Sequence, residues 1–118
     1  MSLNMGQIAE AFCSHRFVET YPYMAGEIKW NIVGREELMG REAVIDRCDK
    51  SAKFLETVSS TITKLKMYPA ETFVVVEGAA QFRDRENQIS SVASCDVFQF
   101  SDGLLVEITS YVIDLKEA

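Results

Sequence analysis

The chain is poor in the residues from which metal and cofactor sites are built. It has a single histidine, His15, among its 118 residues, and its acidic residues are scattered without ligand spacing, which leaves no recognisable metal centre. Its three cysteines, Cys13, Cys48 and Cys95, are odd in number and widely separated. That excludes a disulfide framework or a zinc knuckle and fits free, buried thiols in a reducing compartment. Gly34, Gly40 and Gly103 form no phosphate or dinucleotide loop, and no serine or cysteine lies in a nucleophile motif. The expected cofactor is none. No apolar run approaches the roughly 20 residues of a membrane helix. The opening Met1-Ser2-Leu3-Asn4-Met5 lacks the basic and apolar segments of a secretion signal, and the second methionine points to residues 1–4 as unordered or vector-derived. Basic residues are also scarce, 12 against 18 acidic for a net charge of −6, with no basic cluster. Nucleic acid and anionic membrane surfaces are therefore excluded as partners. The expected location is the cytoplasm.

What the chain does have is enough apolar content, 47%, for one core in one domain over residues 1–118. The apolar period changes once, from helical to strand-like, which predicts an α+β protein. Ile8, Ala11, Phe12 and His15 share one face of an opening helix, continued by Val18 and Tyr21 until Pro22 interrupts it. At the end of such a helix the dipole favours a charged imidazole, so His15 needs no further role. Residues 27–33 alternate, with Ile28, Trp30 and Ile32 opposed to Lys29, Asn31 and Val33, and Gly34 closes this strand. A second helix follows Gly40 with Val44, Ile45, Cys48, Ala52 and Leu55 as its apolar stripe. Four long strands then run 57–68, 71–83, 88–100 and 104–115. Turns at Pro69, at 84–87 and at Asp102-Gly103 separate them, the last a strong hairpin signal. The sheet is expected to be an antiparallel meander.

Asp96 stands out within this pattern. Strand interiors are depleted in aspartate, and a buried carboxylate costs several kcal/mol unless paired or protonated. By parity it shares a face with Val92, Ser94, Phe98 and Phe100, neighbours that disfavour the charged form and raise a carboxyl pKa. Either Asp96 works in a pocket, or it points to solvent or pairs with a cross-strand cation such as Arg83. Gly78-Ala79-Ala80 leaves room for a ligand against the sheet, or marks a bulge that bends it.

Two stretches carry a family likeness. Residues 28–34 followed by Gly40-Arg41-Glu42-Ala43-Val44-Ile45, and Asp96-Val97-Phe98-Gln99-Phe100-Ser101-Asp102-Gly103 followed by Glu107-Ile108, resemble the nuclear-transport-factor-2-like superfamily. The similarity is to its SnoaL-like branch, which includes polyketide cyclases and is related to ketosteroid isomerase, and it covers nearly the whole chain. It implies a cystatin-like conical half-barrel, with N-terminal helices packed on a strongly curved, mostly antiparallel sheet around a cavity. Fold likeness alone does not fix the activity. Asp96 looks like the carboxylic acid that ketosteroid isomerase keeps protonated to donate to an oxyanion. Asn31 falls where that enzyme has its general base, and a neutral amide cannot take a proton; the phenol position falls near Ile8. The resemblance therefore implies cyclase-like chemistry, in which one acidic residue serves as acid and base.

The expected partner is a small apolar ligand, with Asp96 as the catalytic candidate. Ligand-lining candidates are Asn31, Trp30, Tyr23, Phe54, Gly78, Ala80, Phe82, Phe98, Ile108, Ser110 and Val112, of which the three aromatics Trp30, Tyr23 and Phe54 close the mouth or fill the core. One reading is an isomerase or cyclase acting on a ketone or polyketide-like compound. The other is a non-catalytic ligand-binding or dimerisation domain. Apolar residues on both strand faces, such as Phe73 and Val75 opposite Val74 and Val76, point to a homodimer through the outer sheet face.

Overall fold

Period-two alternation in the second half of the chain produces one antiparallel meander. The structure, a computed structural model, describes residues 2–115. Its helices are α1 (Met5–Cys13), a 3₁₀ helix (Phe17–Tyr23) and α2 (Arg41–Leu55); its strands are β1 (Met24–Ile32), β2 (Glu36–Met39), β3 (Ser59–Pro69), β4 (Phe73–Arg83), β5 (Ile89–Ser101) and β6 (Leu104–Leu115). The sheet order is β2-β1-β6-β5-β4-β3. All neighbours pair antiparallel except β1 with β6. The six-stranded mixed sheet does not close on itself. α1 packs on β4 and β3, and α2 on β1 and β2, so the helices cover one face of a cone-like α+β fold. No helix among the described residues is long and apolar enough to cross a membrane.

The turns follow from backbone chemistry. Asp102 and Gly103 have φ of 51° and 79°, the two left-handed residues that the tight β5–β6 hairpin demands. Gly34, at φ 79°, serves the loop between the paired residues Ile32 and Glu36. This β1–β2 hairpin was not expected. β2 has only four residues at the sheet edge, too few to display a period.

The opening segment also differs from expectation. Asn4, in the stretch read as unordered, caps α1: its side chain accepts from the Gln7 N–H at 2.8 Å, and the Gln7 side chain accepts from the Asn4 N–H at 2.9 Å. Such a cap stabilises a helix by about 1 kcal/mol. The Leu3 N–H donates to the Tyr23 hydroxyl at 3.0 Å. α1 then stops at Cys13, well short of Pro22. The Arg16 N–H reaches the Ala11 carbonyl at 2.8 Å and the His15 N–H reaches the Phe12 carbonyl at 3.1 Å, the paired bonds of a Schellman ending. His15 occupies its left-handed position, with φ 67°.

Phe98, Ile8, Ile28, Leu105, Ile108, Val44, Val74 and Val76 are fully buried and fill the closed end of the cone. Each side chain of this size contributes about 1.5–3 kcal/mol on burial. The irregularity foreseen at Gly78-Ala79-Ala80 lies on the partner strand: Ile62 pairs with Ala80 and Lys64 with Ala79, so Thr63 is the extra residue. That insertion reverses the alternation of β3. Ile62 and Leu65 both turn inward across it, and the side chain of Lys64 turns out to Glu77, at 3.0 Å.

Candidate functional site

Above the packed end, strand register stacks the inward side chains in rings. Asp96 of β5 is paired on one side with Val76 of β4 and on the other with Ser110 of β6; the next ring is Gly78, Ser94 and Val112; the next pairs Ala80 with Val92 and Val92 with Asp114. The rings shrink to glycine and serine where the closed end has phenylalanine and isoleucine, so the interior there stays open. The result is a cavity of about 300 Å³ with a mostly apolar wall. Phe12 and Cys13 of α1, Trp30 and Ile32 of β1, Ile62 and Leu65 of β3, and Ser51, Phe54 and Leu55 of α2 add to its lining.

Eight of the candidates from sequence line this cavity: Asp96, Trp30, Phe54, Gly78, Ala80, Phe82, Ser110 and Val112. Four do not. Phe98 and Ile108 have the right parity but lie one ring too deep, in the solid core. Asn31 alternates away from Trp30 and Ile32 onto the other sheet face, between Glu37 and Thr109. Tyr23 packs against the core, its hydroxyl engaged by Leu3. Ile8, at the phenol position of the isomerase likeness, is fully buried in the core.

The polar groups at the cavity floor form one directed chain. The Trp30 indole N–H, which can only donate, donates to Ser110 Oγ at 2.9 Å. Ser110 therefore directs its own proton to Asp96 Oδ1, at 2.5 Å. Oδ2 is left toward the cavity, with the Cys13 thiol 3.8 Å away as a weak donor. Burial pushes the Asp96 carboxyl above its ordinary 3.8, and the hydrogen bonds from Ser110 and Cys13 pull it part of the way back. Burial, and then the charge of Asp96, pushes the Cys13 thiol up, so it remains a protonated donor. Because Oδ1 already receives a proton from Ser110, a neutral Asp96 carries its hydrogen on Oδ2. The group offers a donor to the cavity when protonated and an acceptor when ionised.

Sequence reasoning missed His15, Cys13 and Phe12. The Schellman ending turns His15 back over the cavity, with its ring 6.0 Å from that of Phe17 and 6.5 Å from that of Phe82. Burial lowers its pKa, which favours neutral imidazole over the charged ring expected at a helix end. Phe12 contacts Phe17, Trp30 and Phe98 edge-to-face at 5.2–5.4 Å, walling the floor off from the core. The helical period had placed Phe12 and His15 on one face; only the chain reversal after Cys13 could not be read.

Gly78 holds the cavity open at its middle ring. A Cβ there would stand 3.1 Å from Ser94 Oγ. Gly78→Val is expected to fill this ring, so that compounds raising the melting temperature of the parent no longer raise that of the variant, while the unliganded protein still unfolds cooperatively. An unchanged ligand-induced shift would place the binding site elsewhere.

This geometry has solved relatives. No known family model and no curated protein matches the chain. A structure of an NTF2-like protein of unknown function from Cytophaga hutchinsonii is 31% identical, with a TM-score of 0.78 over 90% of this chain and 93% of that one. The chain belongs to the NTF2-like family. More distant solved structures share the fold alone. A candidate polyketide cyclase from Silicibacter is 14% identical (TM-score 0.72, 95% of this chain, 90% of the other). An LEH-like epoxide hydrolase from M. tuberculosis is also 14% identical (TM-score 0.65, 88% and 75%). The NTF2-like fold thus occurs in proteins with different names, and the floor chemistry must come from this chain's own residues.

Proposed function

We propose that this NTF2-like protein binds a small, largely apolar carbonyl compound, a ketone or polyketide-like molecule, and that Asp96 moves a proton on it as the single acid and base of an isomerase- or cyclase-type reaction. One observation carries this reading: a carboxyl with a raised pKa at the floor of an apolar cavity, its Oδ2 edge left to the interior by the Trp30–Ser110 chain. A raised pKa brings a carboxylic acid nearer to neutrality, where it both donates and accepts protons. In a cavity sheltered from water, its hydrogen bond to a developing enolate oxygen is strengthened. The candidate cyclase from Silicibacter lends the reading its precedent in fold. A thermal-shift screen of apolar ketones and enones tests it. Hits are expected to stabilise the parent more than Asp96→Asn; equal stabilisation of both would remove Asp96 as the polar anchor.

We further propose a cytoplasmic homodimer joined through the outer sheet face. The three free cysteines support a reducing compartment. Cys95 pairs with Tyr111 and Ala93 with Ile113 on that face, while Tyr111, Ile113 and Leu115 are exposed at 48%, 60% and 47%. Apolar side chains at this density on one sheet face suit an interface. Light scattering is expected to give twice the chain mass for the parent and a shift to the single-chain mass for Ile113→Asp. A monomeric parent would refute the dimer.

A further inference from the structure

Asp96 is the only acidic residue among the described residues lining the cavity; its cationic lining residues are Arg35, from the β1–β2 turn, Arg47, from α2, and Lys64, whose Nζ is held by Glu77 at 3.0 Å. Arg35 stands at the wide end, beside Asp114, four residues of strand register from the level of Asp96, and Arg47 pairs with Glu36, the chain neighbour of Arg35. Two cations facing one opening are notable in a chain of net charge −6. Each has an acidic partner: Asp114, at the rim of the third ring, for Arg35, and Glu36 for Arg47. Arg47 gives its Nε proton to Glu36, at 3.1 Å, and one Nη1 proton to Ser51, at 2.6 Å, which fixes the guanidinium and engages two of its five N–H donors. Arg35 meets Asp114 at 3.4 Å with both side chains half or more exposed, an ion pair of little strength.

We infer that the cavity takes an amphipathic organic acid, with its carbonyl end at Asp96, an apolar body along the Gly78 ring, and a carboxylate at the mouth bound by Arg47 and Arg35. This rests on the reading of Asp96 given above and adds the charge, polarity and length of the ligand. A planar guanidinium edge matches a carboxylate bidentately. Two rings of strand register separate the level of Asp96 from that of Asp114, where Arg35 is held, by about 13 Å, from a rise of about 3.3 Å per residue. A neutral ligand leaves the pair unused, and a cationic one is repelled by it.

Calorimetric titration with an oxodecanoate whose ketone lies at the end remote from the carboxylate, and with its methyl ester, tests the assignment. The acid is expected to bind about tenfold more tightly than the ester, with the advantage shrinking as salt is added. Arg35→Gln combined with Arg47→Gln should abolish the preference and leave ester binding in place. Glu36→Gln, which releases the Nε edge of Arg47, should strengthen binding of the acid alone, a gain that misfolding cannot produce. Equal affinities in the parent, or no binding of the acid, would overturn the inference. Asp96→Asn separates the two proposals. If it weakens acid and ester by the same factor, the carbonyl reading stands whatever the carboxylate result; if it changes neither while the acid is still preferred, only the carboxylate site stands.

Discussion

Asp96→Asn is expected to lower turnover of a bound carbonyl substrate by a factor of about 10²–10⁴, the usual contribution of a positioned proton-transfer group, with the fold intact. The amide has the shape of the carboxyl, and its oxygen can still accept from Ser110. The same substitution has a signature in stability that needs no substrate. Because the folded carboxyl titrates above 3.8, it retains its proton where the unfolded chain has released it. The parent therefore loses stability as pH rises from about the ordinary Asp value through the folded value, and levels off above it. Asn at this position has no proton to lose. Urea unfolding of the two proteins across this range should show the variant gaining on the parent as pH rises. A difference independent of pH would mean that Asp96 is not desolvated.

Phe98→Ala is expected to cost about 3–5 kcal/mol in urea unfolding, as for large aromatics removed from a packed core. Phe98 is completely buried, and its ring meets that of Phe12 edge-to-face at 5.4 Å. Removing it hollows out the support beneath Phe12, and with it the floor on which Trp30 and Ser110 align Asp96. A loss below about 1 kcal/mol would show that the closed end tolerates repacking, contrary to the boundary drawn here between solid core and open cavity.

The sequence and the structure agree where side-chain parity is the whole of the problem. Asp96, Ser94 and Val92 alternate with Cys95 and Ala93 for thirteen residues of β5, and nothing local interrupts them, so the inward aim of Asp96 was legible. Parity gives a face and not a depth. Phe98 and Ile108 were thus expected beside Asp96 when they lie beneath it, because depth depends on which strand neighbours share a ring. β3 hid its bulge for a related reason: the inserted Thr63 breaks the alternation that would have revealed it. The fate of His15 was hidden by its type. Left-handed helix endings favour glycine or asparagine, so a histidine there reads as another helical residue. Trp30 was correctly placed on the inner face of β1, but its hydrogen bond to Ser110 spans 80 residues, and no local pattern encodes such a pairing.

The inward, partly desolvated carboxyl of Asp96 underlies the binding, the proton transfer and the length of the proposed ligand. Its titration can be followed directly by NMR, through the side-chain carboxyl carbon of Asp96 in the isotopically labelled protein, with Asp96→Asn identifying the resonance. The expected midpoint lies above the ordinary 3.8, and a midpoint at or below that value would contradict the site described here.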